Sequence, residues 1–120
     1  MRLPFTTEIK EIMTAYPAGA RYFYMVTFEI DPADEPLFNE IYDTEHIPMI
    51  SKVPGVFGVV RFRNHEPNER GWLVYSALYY LDRADLPETQ EWKTESDKGR
   101  WGPVIRPRIK SRQRRLGRLT

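Results

Sequence analysis

The 120-residue sequence has no cysteine, so a disulfide framework, a thiolate metal site and a cysteine nucleophile are all closed to it. It has only two histidines, His46 and His65, on different predicted elements and without HxH or HxxxH spacing. That gives no metal site. No glycine-rich phosphate loop and no GxSxG are present, which removes a nucleotide cradle and a serine nucleophile elbow. No apolar run approaches the roughly 20 residues that cross a bilayer, and the first residues lack the apolar core of a secretory signal. No membrane association and a cytoplasmic location are therefore expected.

What is present is apolar, aromatic and unevenly charged. At 41% hydrophobic and 13% aromatic, the chain can bury one real core. The net charge of +1 conceals an acidic body and a basic end. Residues 1–99 hold 10 Lys and Arg against 17 Asp and Glu; residues 100–120 hold eight Lys and Arg and no acid.

Read in order, Thr6–Ala15 has the spacing of a short helix, ended by Tyr16-Pro17-Ala18-Gly19. Arg21–Ile30 is a strand, with Tyr22, Tyr24, Val26, Phe28 and Ile30 on one wholly apolar face. Asp34 is a candidate N-cap for a helix running through Leu37, Phe38, Ile41 and Tyr42. Pro48 has no N–H and biases Ile47 away from helix, so a kink or stop is expected near His46. Val56–Asn64 is a second strand, with Gly58 marking a bulge. Trp72–Leu81, apolar on both faces, is a central third strand. A second helix is expected over Leu86–Lys98. Val104–Arg114, alternating cations with Ile105, Pro107 and Ile109, is expected as an edge strand. The domain reading is an extension at 1–20, one domain at 21–114 and a basic tail at 115–120.

The order β-α-β-β-α-β is that of the ferredoxin-like sandwich, an α+β fold whose antiparallel sheet carries helices on one face. Strands apolar on both faces leave the other face needing cover, and a homodimer packed sheet to sheet is the expected cover.

Tyr42-Asp43-Thr44-Glu45-His46-Ile47-Pro48, followed by Val53-Pro54-Gly55-Val56 and Val60-Arg61-Phe62, resembles the EthD-like branch of the dimeric α+β barrel superfamily over roughly residues 21–112. The resemblance implies a pocket between sheet and helices or within the dimer barrel. It also implies a superfamily of cofactorless monooxygenases, isomerases, polyketide cyclases, haem-binding proteins and members without known activity.

On this reading His46 is the candidate proton shuttle, Tyr42 its phenol partner one helical turn earlier, and Glu45 a group tuning charge. Arg61 and Arg63 share a strand face and suit a forked contact to a carboxylate or phenolate. Tyr24, Tyr75 and Trp72 offer flat walls for a hydrophobic ligand. The structural alternatives stand beside these. His46 can bond carbonyls freed at the helix end, and Arg61 and Arg63 can pair with Glu29, Glu45 or Asp43. The expected function is cofactor-independent oxygenation, isomerisation or cyclisation of an aromatic or polyketide-like molecule, with no cofactor required. The rival is a non-catalytic ligand-binding dimer. Nucleic-acid binding through residues 106–118 ranks last, because the cations alternate along a strand instead of clustering in a recognition motif.

Overall fold

The computed structural model describes residues 16–120. The expected helix at 6–15 lies outside the described residues. Four strands, β1 (Tyr22–Ile30), β2 (Val56–Arg63), β3 (Leu73–Leu81) and β4 (Ile109–Arg118), form one antiparallel sheet in the order β2-β3-β1-β4. That is the ferredoxin-like arrangement, with helices α1 (Glu35–Ile41), α2 (Ile47–Ile50) and α3 (Gln90–Ser96) on one face. None of the described helices is long and apolar enough to cross a membrane.

Register explains the two faces. Tyr24, Val26, Phe28 and Ile30 stand opposite Tyr79, Ala77, Tyr75 and Leu73. These eight point at the helices and make most of the sheet's share of the core. The alternate positions, including Met25, Val74 and Leu78, point to the open face. On β2, Val60 and Phe62 point there too and are 46% and 45% exposed. The expected bulge is found as a register shift between Val56 and Gly58. Gly55, at φ +101°, makes the turn into β2, and its carbonyl accepts from the Asp82 N–H at 3.0 Å.

Two elements depart from the sequence expectation, while the first helix answers the expected kink or stop near His46 with a local irregularity and one more turn. It widens into a π-helical turn over Tyr42–His46, closed by the Ile47 N–H on the Tyr42 carbonyl, and resumes as α2 with Pro48 in its first turn. An α-helical Pro48 would clash with the Thr44 carbonyl and leave it unbonded; the wider turn accommodates the ring without ending the helix.

The second helix is broken. A 3-10 turn at Leu86–Glu88 precedes Thr89, whose hydroxyl caps α3 by accepting from the Trp92 N–H at 3.3 Å.

The fourth strand begins later and ends later than expected. Residues 101–108 form a π turn (Trp101–Ile105) and a 3-10 turn (Arg106–Arg108). Pro103 and Pro107 cannot donate to a ladder, while Trp101 and Ile105, four apart, both bury. The strand then runs to Arg118, and the Leu119 N–H reaches the Arg21 carbonyl at 2.9 Å. The expected basic tail at 115–120 is mostly sheet.

Candidate functional site

The π turn sets the site. It puts Tyr42 and His46 on one inward side, at 1% and 6% exposure, with ring centroids 5.1 Å apart. Trp101, brought over by its own π turn, lies flat on the imidazole at 4.2 Å and 20°, and stands edge-on to Tyr42 at 5.0 Å. The Tyr42 and Tyr79 hydroxyls share a buried hydrogen bond of 2.9 Å. These side chains, with Tyr24 and Trp92, wall a cavity of about 240 Å³ between the sheet and the helices. Its other side carries Arg106, Arg112 and Arg114.

The electrostatics keep the site neutral at its centre. Burial, and then the nearby Arg106, bring the His46 pKa down to about 3, so the imidazole is uncharged at neutral pH. Its Nδ1 is buried and has no hydrogen-bond partner among the described residues. Burial raises Tyr42 well above the usual phenol range and pushes Tyr79 up to about 12, so both remain protonated donors. The arrangement can accept a proton on the imidazole and can donate to an oxygen from a phenol pair.

The sequence candidates divide cleanly. His46, Tyr42 and Tyr24 come together at the cavity. Glu45 points the other way. Its carboxylate accepts from the Arg100 backbone N–H at 2.9 Å and from the Arg100 guanidinium at 2.5 Å. Those bonds hold its pKa below the usual carboxylate value.

Arg61 lies outside the cavity wall. It bonds Asp43 at 2.5 Å and Asn39 at 2.7 Å, and its guanidinium sits 4.5 Å from the Tyr42 ring centre. Arg63 pairs with Glu35 at 3.1 Å. Tyr75 donates to Glu35 at 2.5 Å and accepts from Asn39 at 3.1 Å. Trp72 sits at the β2–β3 loop beneath the Lys110 ammonium, 4.8 Å from its ring centre. None of these four lines the cavity.

Trp101, Tyr79, Trp92, Arg106, Arg112 and Arg114 line it as well. The alternation of the β4 cations was a usable signal, since it puts Arg112 and Arg114 on one face. For Trp101, nothing in its neighbours Gly99, Gly102 and Pro103 announces an inward turn. Among the described residues, no group of three acidic or histidine side chains is placed to hold a metal.

No family model matches the chain, and no curated protein matches it. Solved structures do. An EthD family protein from Bacillus halodurans superposes with a TM-score of 0.55 at 19% identity, covering 82% of this chain and 99% of its own. A monooxygenase of Streptomyces coelicolor in complex with nanaomycin D gives 0.64 at 13% identity, covering 87% and 91%. A dimeric ferredoxin-like protein of Thermobifida fusca gives 0.59 at 13% identity, covering 89% and 98%. The chain shares the ferredoxin-like α+β fold of these proteins.

Proposed function

We propose that the chain is a cytoplasmic, homodimeric enzyme that takes an aromatic or polyketide-like molecule into this cavity and moves a proton on it without a cofactor. One observation carries the reading: a buried neutral imidazole forms part of the wall of an aromatic hollow, and among the described residues its Nδ1 has no partner. In the reaction, the His46 imidazole takes a proton from an acidic C–H or O–H of the ligand. The electron pair left behind moves onto a ligand oxygen, and the Tyr42–Tyr79 hydroxyl pair can donate to that oxygen. Negative charge on the ligand raises the basicity of His46, offsetting the burial and the Arg106 charge that lower it when the cavity is empty. Isomerisation, cyclisation and oxygenation of an electron-rich ring can all begin with this step.

The pairing expectation rests on the open sheet face, where Val60 and Phe62 stay exposed beside Met25 and Leu78. The neighbours described as dimeric, and the one solved with nanaomycin D, favour the same reading.

The test uses 2-tetralone in D2O, followed by NMR. The chain should speed deuterium exchange at the acidic ring carbon, His46→Gln should remove the acceleration, and Ser96→Phe, which fills the cavity from α3, should do the same. No acceleration by the unaltered chain, with calorimetric binding intact, would leave a ligand-binding dimer without catalysis.

A further inference from the structure

We infer that the ligand is an anionic aromatic, its carboxylate or ionised phenol gripped by Arg112 and Arg114 on β4. The inference rests on the cavity reading above and adds the chemical class of what fills it.

Register places Arg112 opposite Phe28 and Arg114 opposite Val26, both on the helix-covered side. Both side chains line the cavity. Residues two apart on one strand face stand roughly 7 Å from each other, a spacing at which two guanidinium groups can close on one carboxylate. Among the described residues neither forms a salt bridge. The same is true of Lys93, which lines the cavity from α3.

The fourth cation of the wall, Arg106, is held by Asp97 at 2.7 Å. Glu88 and Asp97 are the acids of the lining, so four cations face two carboxylates. A second hollow of about 270 Å³ adjoins the first and shares Phe28, Trp101, Arg106 and Arg112 with it. Arg112 therefore stands where the two spaces meet. Exposed cations without counter-ions on the wall of an aromatic-lined hollow draw an anion toward it. Flat rings on the walls and a charge at the junction together describe an aromatic acid or an acidic phenol.

Calorimetry of the full chain with 2-naphthoate and with 2-naphthalenemethanol, its neutral counterpart, tests this at low ionic strength. The naphthoate should bind at least about tenfold more tightly. Arg112→Gln/Arg114→Gln should bring the two ligands to equal affinity. Lys52→Gln/Arg70→Gln removes the same charge from exposed positions outside the cavity and should preserve the preference. An alcohol bound as tightly as the acid overturns the inference and leaves the cavity reading standing. A preference that survives the β4 double variant also overturns it. Absence of binding by either ligand sinks both.

Discussion

The two edge strands carry the same device and use it differently. Strand β2 points Arg61 and Arg63 at the helices, and β4 points Arg112 and Arg114 at the same side. Above β2 lies α1 with the π turn that follows it, and these supply Asn39, Asp43 and Glu35 to take the guanidinium groups. Beside β4 lies the segment Trp101–Arg108, which supplies an aromatic wall and two more cations instead of acids. Arg61 is held with only 15% of its side chain exposed; Arg112 and Arg114 are exposed. A cation row on a strand therefore says little by itself. What the covering segment offers decides whether the row braces the fold or waits for a ligand.

The largest expected effect breaks the β4 side. Trp101→Ala should cost about 3–5 kcal/mol in urea unfolding, the usual loss for a buried large aromatic. Trp101 is 4% exposed and touches four rings, His46 and Tyr42 as above, with Phe28 at 5.5 Å and Phe38 at 6.1 Å. A loss under about 1 kcal/mol would mean that the segment beside β4 is not anchored there.

Next comes the β2 side. Arg61→Met keeps much of the aliphatic stem but strands Asp43 and Asn39 and removes the charge over the Tyr42 ring. About 1.5–3 kcal/mol should be lost, within the range for hydrogen bonds to charged groups. A neutral result would show that β2 needs no cation beneath α1, and the contrast between the two edges would dissolve.

Much of this contrast was visible in the chain itself. The aromatic and aliphatic content of β1 and β3 announces a sheet covered on both faces near its centre, and the element order then leaves the ferredoxin-like sandwich. His46 and Tyr42 read as neighbours because four residues make nearly one helical turn, and a π turn keeps them so. What stayed hidden depends on geometry that the local sequence does not hold. The side of the helix to which Glu45 turns is fixed by Arg100, 55 residues away. The fate of Arg61 depends on which acid the π turn swings toward it. The inward course of 101–108 follows from prolines that forbid a ladder and from Trp101 finding a hole beside His46. Alternation at 104–108 imitates a strand, and only the packed core shows it to be turns.

The imidazole between the two edges gives a smaller and pH-dependent effect. Its folded pKa, about 3, lies below the ordinary value of 6.5. The unfolded chain then binds this proton first, so the stability contribution is complete above pH ~7 and declines as pH falls from about 6.5 toward 3. The expected slope is on the order of 1 kcal/mol per pH unit. Between pH ~6.5 and ~5 it should flatten in His46→Phe, before the carboxylates with lowered values, Glu29, Glu45 and Asp85, begin to titrate. Equal slopes in the two proteins would mean that His46 takes up its proton without unfolding, and that its burial in the wall is loose.

The smallest effect is the most diagnostic of the difference between the edges. Arg112→Gln/Arg114→Gln should change unfolding stability by no more than about 0.5 kcal/mol, the ordinary range for exposed side chains without partners. Removing two mutually repelling cations that also face Arg106 can even be slightly stabilising. The equivalent pair on β2, Arg61→Gln/Arg63→Gln, should cost several times more under the same conditions. If the β4 pair instead costs as much as the β2 pair, the β4 arginines brace the sheet, and a bound anion would have no unsatisfied cation to meet. If stability is untouched while affinity for naphthoate collapses, the two rows are the same motif given two different duties by what lies across from them.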